Sequence, residues 1–167
     1  FKTNYLVKTT GDEYQRLEEI KKSGQSLIVP LNFPTGYDVR DPYEAQNIPL
    51  YDLKHWELAP SNAARLDAAG IPFALTAADL KDKSKFMANL RKAIEYGLSE
   101  QAALKALTFQ PAQLLGCYDQ VGSLEPGKTA SFTITSGNIF DAETKVFQTW
   151  SRGKSYFFKD FNEIFPA

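Results

Sequence analysis

His55 and Cys117 are the chain's only histidine and cysteine, so chemistry that needs imidazole or thiolate has one of each. A zinc-type site takes three or four ligands. His55, in Asp52-Leu-Lys-His-Trp56, has no second histidine beside it and reads as a partly exposed structural residue at the start of a helix. Cys117 follows a helix stop and reads as a small buried apolar residue rather than a catalytic thiol; alone, it forms no internal disulfide. Serine chemistry is no better served. Ser23-Gly-Gln-Ser26 and Thr135-Ser-Gly-Asn138 lack the glycine spacing of a nucleophile elbow, and one distant histidine offers no base. No glycine-rich phosphate loop is present, and Lys83-Ser-Lys85 reads as a solvated helix start.

With 167 residues and 43% hydrophobic content, the chain fits a globular protein with an ordinary core. Its net charge of −1, with both signs interleaved, gives no footprint for nucleic acid or an anionic membrane. No apolar run approaches the roughly 18 residues of a membrane span, and no signal-peptide core is visible, so the chain is expected to be soluble. It starts at Phe1 rather than Met. The expectation is a piece of a longer protein, with any targeting information lying upstream and the compartment unspecified.

The elements that must position side chains follow from periodicity and breakers. Tyr5–Val7 is a first apolar stretch. Asp12-Glu-Tyr-Gln15 reads as a capped helix start, with the helix running over about 13–22 and stopping at Ser23-Gly24. Ser26–Leu31 is continuously apolar, as a strand buried on both faces requires. Four breakers, Pro34, Gly36, Pro42 and Pro49, make 32–50 a long loop at the end of that strand. A helix over 53–69 with a restart at Pro60, a strand over 71–75, and helices over 85–96, 99–107 and from Pro111 to Gly116 complete an alternating order. That order predicts parallel pairing with right-handed crossovers. From Val121 the period changes to two, and about three antiparallel strands are expected, with Ser136-Gly-Asn138 and Arg152-Gly-Lys154 as turns. Glu125-Pro-Gly127 predicts a type II turn. The aromatics Tyr156, Phe157, Phe158, Phe161 and Phe165 are expected to pack in the core of this region.

Five pieces occur in a telling order: Gly70-Ile-Pro-Phe-Ala-Leu75, Ala93-Ile-Glu-Tyr-Gly-Leu-Ser99, Ala103-Leu-Lys-Ala-Leu-Thr108, Pro111-Ala-Gln-Leu-Leu-Gly116 and Gly122-Ser-Leu-Glu-Pro-Gly-Lys128. Together they resemble the C-terminal part of the imidazolonepropionase-like, metal-dependent amidohydrolases. The resemblance covers roughly 24–154. It implies an α/β fold, the C-terminal part of a (β/α)8 TIM-like barrel followed by antiparallel strands of a small β-sandwich. Residues 1–118 would hold the last three βα units, and 119–167 the sandwich strands and C-terminal tail. Three units cannot close an eight-stranded barrel, which typically takes about 250 residues. The remainder of the parent chain, or a second copy, would complete it.

The same resemblance implies a parent that hydrolyses a carbon–nitrogen bond of a small molecule, non-peptide or dipeptide-like, with water activated by a zinc-like divalent metal. The early ligands would lie upstream. A late-strand histidine would stand near Val7–Gly11, where the sequence is Lys8-Thr-Thr-Gly11. A catalytic aspartate would follow Phe73-Ala-Leu75, where Ala78 stands and Asp79 comes one place late. Asp79 is therefore the candidate catalytic residue, with a turn-forming or capping role as its other reading. No residue of the chain is assigned as a metal ligand. A metal-free, catalytically degenerate domain with a structural or interaction role is the alternative function.

Overall fold

The computed structural model of the chain describes residues 5–158; Phe161 and Phe165 lie outside them. Contacts cluster into two compact units, 1–106 and 107–167.

In the first unit, β1 (Val7–Lys8), β2 (Leu27–Pro30) and β3 (Phe73–Thr76) form a parallel sheet in the order β1-β2-β3. Between β1 and β2 lies α1 (Leu17–Ser23), stopped by Gly24 in the left-handed conformation at φ +64°. The single helix expected over 13–22 is divided: Glu13–Gln15 is one turn of 3-10 helix, Arg16 leaves helical geometry, and α1 starts after it. Asp12 makes no capping bond to this turn. The long loop after β2 contains one short helix, α2 (Pro42–Gln46). Then come α3 (Leu50–Leu58), a 3-10 turn over Ala59–Ser61 with Pro60 in its first turn, and α4 (Asn62–Ala68). The restart falls at Pro60 because proline needs no amide partner there. α5 (Phe86–Glu95) and α6 (Glu100–Leu107) follow β3.

The faces of the sheet differ. Leu27 and Val29 alternate along β2 and are buried, with Leu31 just beyond it, as are Phe73 and Ala74 of β3, Leu66 of α4 and Leu90 and Ala93 of α5. Burying each large aliphatic contributes about 1.5–3 kcal/mol. In register, Lys8, Ile28 and Ala74 form one row across the three strands. Side chains in a row share a face and alternate with their neighbours along each strand. Lys8 therefore stands on the opposite face from Leu27 and Val29.

The second unit begins with α7 (Phe109–Leu114) and continues to a meander of β4 (Phe132–Thr135), β5 (Val146–Ser151) and β6 (Lys154–Phe157). The expected type II turn is present: Lys128 N donates to Glu125 O at 3.2 Å, and Gly127 has φ +91°. Gly122 is also required to be glycine. At φ +99°, a Cβ there would meet the Ala112 Cβ at 2.7 Å. Register shifts between Ile134 and Thr135, which breaks the expected alternation and leaves Ile134 exposed. The β4–β5 connection runs to Lys145 and buries Phe140, so it is longer than a turn at 136–138. Arg152 and Gly153, both at positive φ, form the two-residue β5–β6 turn. Tyr156, Phe157 and Phe158 are exposed, since the unit has a single sheet layer among the described residues.

Candidate functional site

In a parallel sheet with helical crossovers, the loops after the strands' C-terminal ends are where residues from different units converge. Here those ends are Lys8 with Thr9-Thr10-Gly11, Pro30 with Leu31-Asn32, and Thr76 with Ala77-Ala78-Asp79.

The first of these turns is fixed from within. Glu13 is only 6% exposed. Its Oε1 accepts from Thr10 N at 3.1 Å and Gly11 N at 2.9 Å, and its Oε2 accepts from Asn62 Nδ2. Asn62 Oδ1 in turn accepts from Tyr14 N at 2.8 Å. A buried carboxylate needs several donors, and this one ties the strand-end turn to the first residue of α4. The Thr9 hydroxyl donates to Ile28 O at 3.2 Å, so it faces the sheet rather than a ligand. After β2, Asn89 Nδ2 donates to Leu31 O at 2.5 Å. Asn32 Oδ1 is buried and has no hydrogen-bond partner among the described residues.

After β3 the chain turns at once. Ala78 N donates to Thr76 Oγ1 at 3.2 Å, and Leu80 N donates to Ala77 O at 3.2 Å. This turn carries Asp79, whose Oδ2 lies 2.7 Å from Lys8 Nζ. The pair thus spans the sheet, from the edge strand β1 to the turn after the opposite edge strand β3. Both side chains are part-exposed, at 45% and 33%, where an ion pair contributes about 0.2–1 kcal/mol.

His55 is engaged elsewhere, with Nδ1 sharing a hydrogen bond with the Tyr14 hydroxyl at 3.1 Å and its ring stacked between Tyr14 and Tyr51. Burial pushes the Tyr14 hydroxyl above its ordinary pKa. Cys117 lies in the other unit and is half-buried.

The fit to a divalent metal can be judged from the donors. Among the described residues, no three His, Cys, Asp or Glu side chains converge. At the strand ends Glu13 is committed to backbone and amide donors, Asp12 accepts from the Thr10 hydroxyl, and Asp79 already faces an ammonium. Threonine hydroxyls and one neutral amide remain. This set does not fit a metal. Sequence reasoning missed the Glu13–Asn62 clamp and the partnership of Lys8 with Asp79. The first left a trace, since Glu13 follows Thr-Thr-Gly at the spacing of a turn cap; the second depends on tertiary register and left none.

The sequence profile of the amidohydrolase family matches residues 61–158. No curated protein sequence matches the chain. Among solved structures, an amidohydrolase from Thermotoga maritima is similar over 91% of this chain and 36% of its own, at 25% identity and a TM-score of 0.69. A prolidase complexed with N-methylphosphonate-L-proline is similar over 86% of this chain and 38% of its own, at 15% identity and a TM-score of 0.62. A molinate hydrolase is similar over 85% and 34%, at 18% identity and a TM-score of 0.53. The chain therefore spans little more than a third of the length of these proteins. No helix among the described residues is long and apolar enough to cross a membrane.

Proposed function

The chain belongs to the amidohydrolase family, and from that premise we propose that it closes the barrel of a longer, hydrolase-like protein while contributing no metal ligand. Its α/β portion is the C-terminal part of a (β/α)8 barrel, followed by antiparallel strands of sandwich type. The supporting observation is the parallel sheet, which ends at β1 on one side and β3 on the other. Three strands cannot curl into a closed barrel, and open edges call for partners. The rest of the parent chain supplies them, or else a second copy. Residues 1–118 are assigned to the barrel and 119–167 to the sandwich; α7 then falls with the barrel by sequence order, although it packs within the 107–167 unit.

The role that fits the strand ends is architectural, that of a metal-free domain that supports or docks. A parent that hydrolyses a carbon–nitrogen bond of a small molecule through metal-activated water would need every ligand from outside these residues. In that case Asp79, bound to Lys8, is not the proton shuttle. Amide hydrolysis by the intact parent tests this: Asp79→Asn is expected to leave any turnover unchanged. A fall of about 10²-fold or more, the size expected for loss of a general acid or base, would place Asp79 in the chemistry and reject the architectural reading of this end of the sheet.

A further inference from the structure

A strand-end site that does not fit a metal still holds a cation. Lys8 is the last residue of β1 and shares a row with Ile28 and Ala74. That row lies on the face turned away from Leu27 and Val29; within it Ala74 is buried, Ile28 is half-buried and Lys8 is part-exposed. In a barrel built by adding strands to β1 and β3, one face meets the outer helices and the other looks inward. The large buried side chains of the sheet, Leu27, Val29 and Phe73, share one face; taken as the outer one, it sets Lys8 on the inner face at the end where barrel enzymes carry out chemistry. Its Nζ is 2.7 Å from Asp79 Oδ2, a charge-assisted contact of normal length.

We propose that the Lys8 ammonium is the resident cation of this end of the barrel, standing against Asp79 in place of a divalent metal, and that the barrel is therefore metal-independent. The inference rests on the reading that this chain closes a barrel. Two features of the geometry support it. A lysine side chain is a compact positive charge on a flexible stem, long enough to cross from β1 over the end of β2 to the turn after β3. A divalent ion placed at Asp79 would have to displace that ammonium or sit beside it, and like charges a few ångströms apart repel strongly in a partly enclosed site. The pair also joins the two outer strands of the sheet, so it holds in register the turn that an ion would otherwise organise.

The test uses the intact parent protein. Metal analysis of the purified protein is expected to find far less than one zinc, manganese or iron per chain, and EDTA is expected to leave the melting temperature unmoved. Lys8→Met and Asp79→Asn should each lower that temperature, and the double variant should fall no further than the lower single one, because the two side chains act as a pair. Stoichiometric metal in this barrel, whether or not Asp79→Asn releases it, would overturn the proposal, as would fully additive effects of the two substitutions. Hydrogen exchange in the same protein separates this failure from failure of the barrel reading. The β1 amides that face away from β2 should be protected by an added strand. If they exchange freely, the barrel reading fails whatever the metal content; if they are protected and metal is bound in this barrel, only the resident-cation proposal fails.

Discussion

Asn62 shows how much one neutral side chain can hold. Its amide donates to the buried Glu13 carboxylate while its carbonyl oxygen accepts from Tyr14 N. Asn62→Ala strands a backbone amide and removes a donor from a buried charge, so a loss of about 2–3 kcal/mol is expected in denaturant unfolding. A loss below about 0.5 kcal/mol would mean that water replaces the amide easily. In the second unit, Lys128 Nζ donates to Ser123 Oγ at 2.6 Å, lies 3.4 Å from the Tyr118 ring centroid and pairs with Glu125 at 3.4 Å. Hydrogen bonds from Ser123 and then Lys128 hold the Glu125 carboxyl below its ordinary pKa. The ionised form is thus favoured in the fold. Its contribution is full above the ordinary glutamate range and is lost as pH falls through the depressed folded value. Titration of the Glu125 side chain by NMR should show that depressed midpoint, and Lys128→Met should move it upward. Of these residue-level facts, the sequence revealed the turn at Pro126-Gly127 and the need for glycine there. It did not reveal the Glu13–Asn62 bond, because the two residues are brought together by α4 packing against the turn after β1.

At the scale of elements, helix ends were easier to read than helix starts. Glycine at Gly24 and Gly97 adopts positive φ after α1 and α5, and a left-handed stop is a local property that composition announces. The break at Arg16 is not local. Tyr14 N, an amide that a first helical turn leaves unpaired, is held by Asn62 Oδ1, which fixes the 3-10 turn over Glu13–Gln15 ahead of a shorter α1. The Arg152-Gly153 turn shows local strain of a different kind, since Arg152 sits at φ +50° without being glycine. Left-handed geometry costs a residue with a Cβ about 1–2 kcal/mol, less for asparagine. Arg152→Asn is accordingly expected to stabilise the hairpin by about 0.5–1 kcal/mol, raising the denaturation midpoint with an unchanged m-value. The α6 start follows the same local logic: Ser99 Oγ accepts from Ala102 N at 3.1 Å, as its sequence position predicts.

For the whole molecule, alternation of helices with short apolar strands was enough to foresee a parallel sheet, and the change to period two foresaw an antiparallel region. What lay beyond reach was the exposure of Tyr156, Phe157 and Phe158. A run of three aromatics reads as core, and becomes core only when a second layer covers it. Among the described residues, the chain prepared alone therefore presents two outer strands of the parallel sheet and an aromatic strand of the meander. Light scattering is expected to show self-association that rises with concentration; a monodisperse monomer would mean that these edges are blunted by other means.

The two sheets also differ in how much chain separates their paired strands. β4, β5 and β6 are successive in sequence, whereas β2 must wait for β3 across all of 31–72. Loop closure grows costlier with length, and non-local pairing slows folding. On a ribosome, the Leu27–Leu31 run is made long before Phe73–Thr76 exists to pair with it. Until then its apolar side chains stand open to chaperones and to the edges of neighbouring nascent chains.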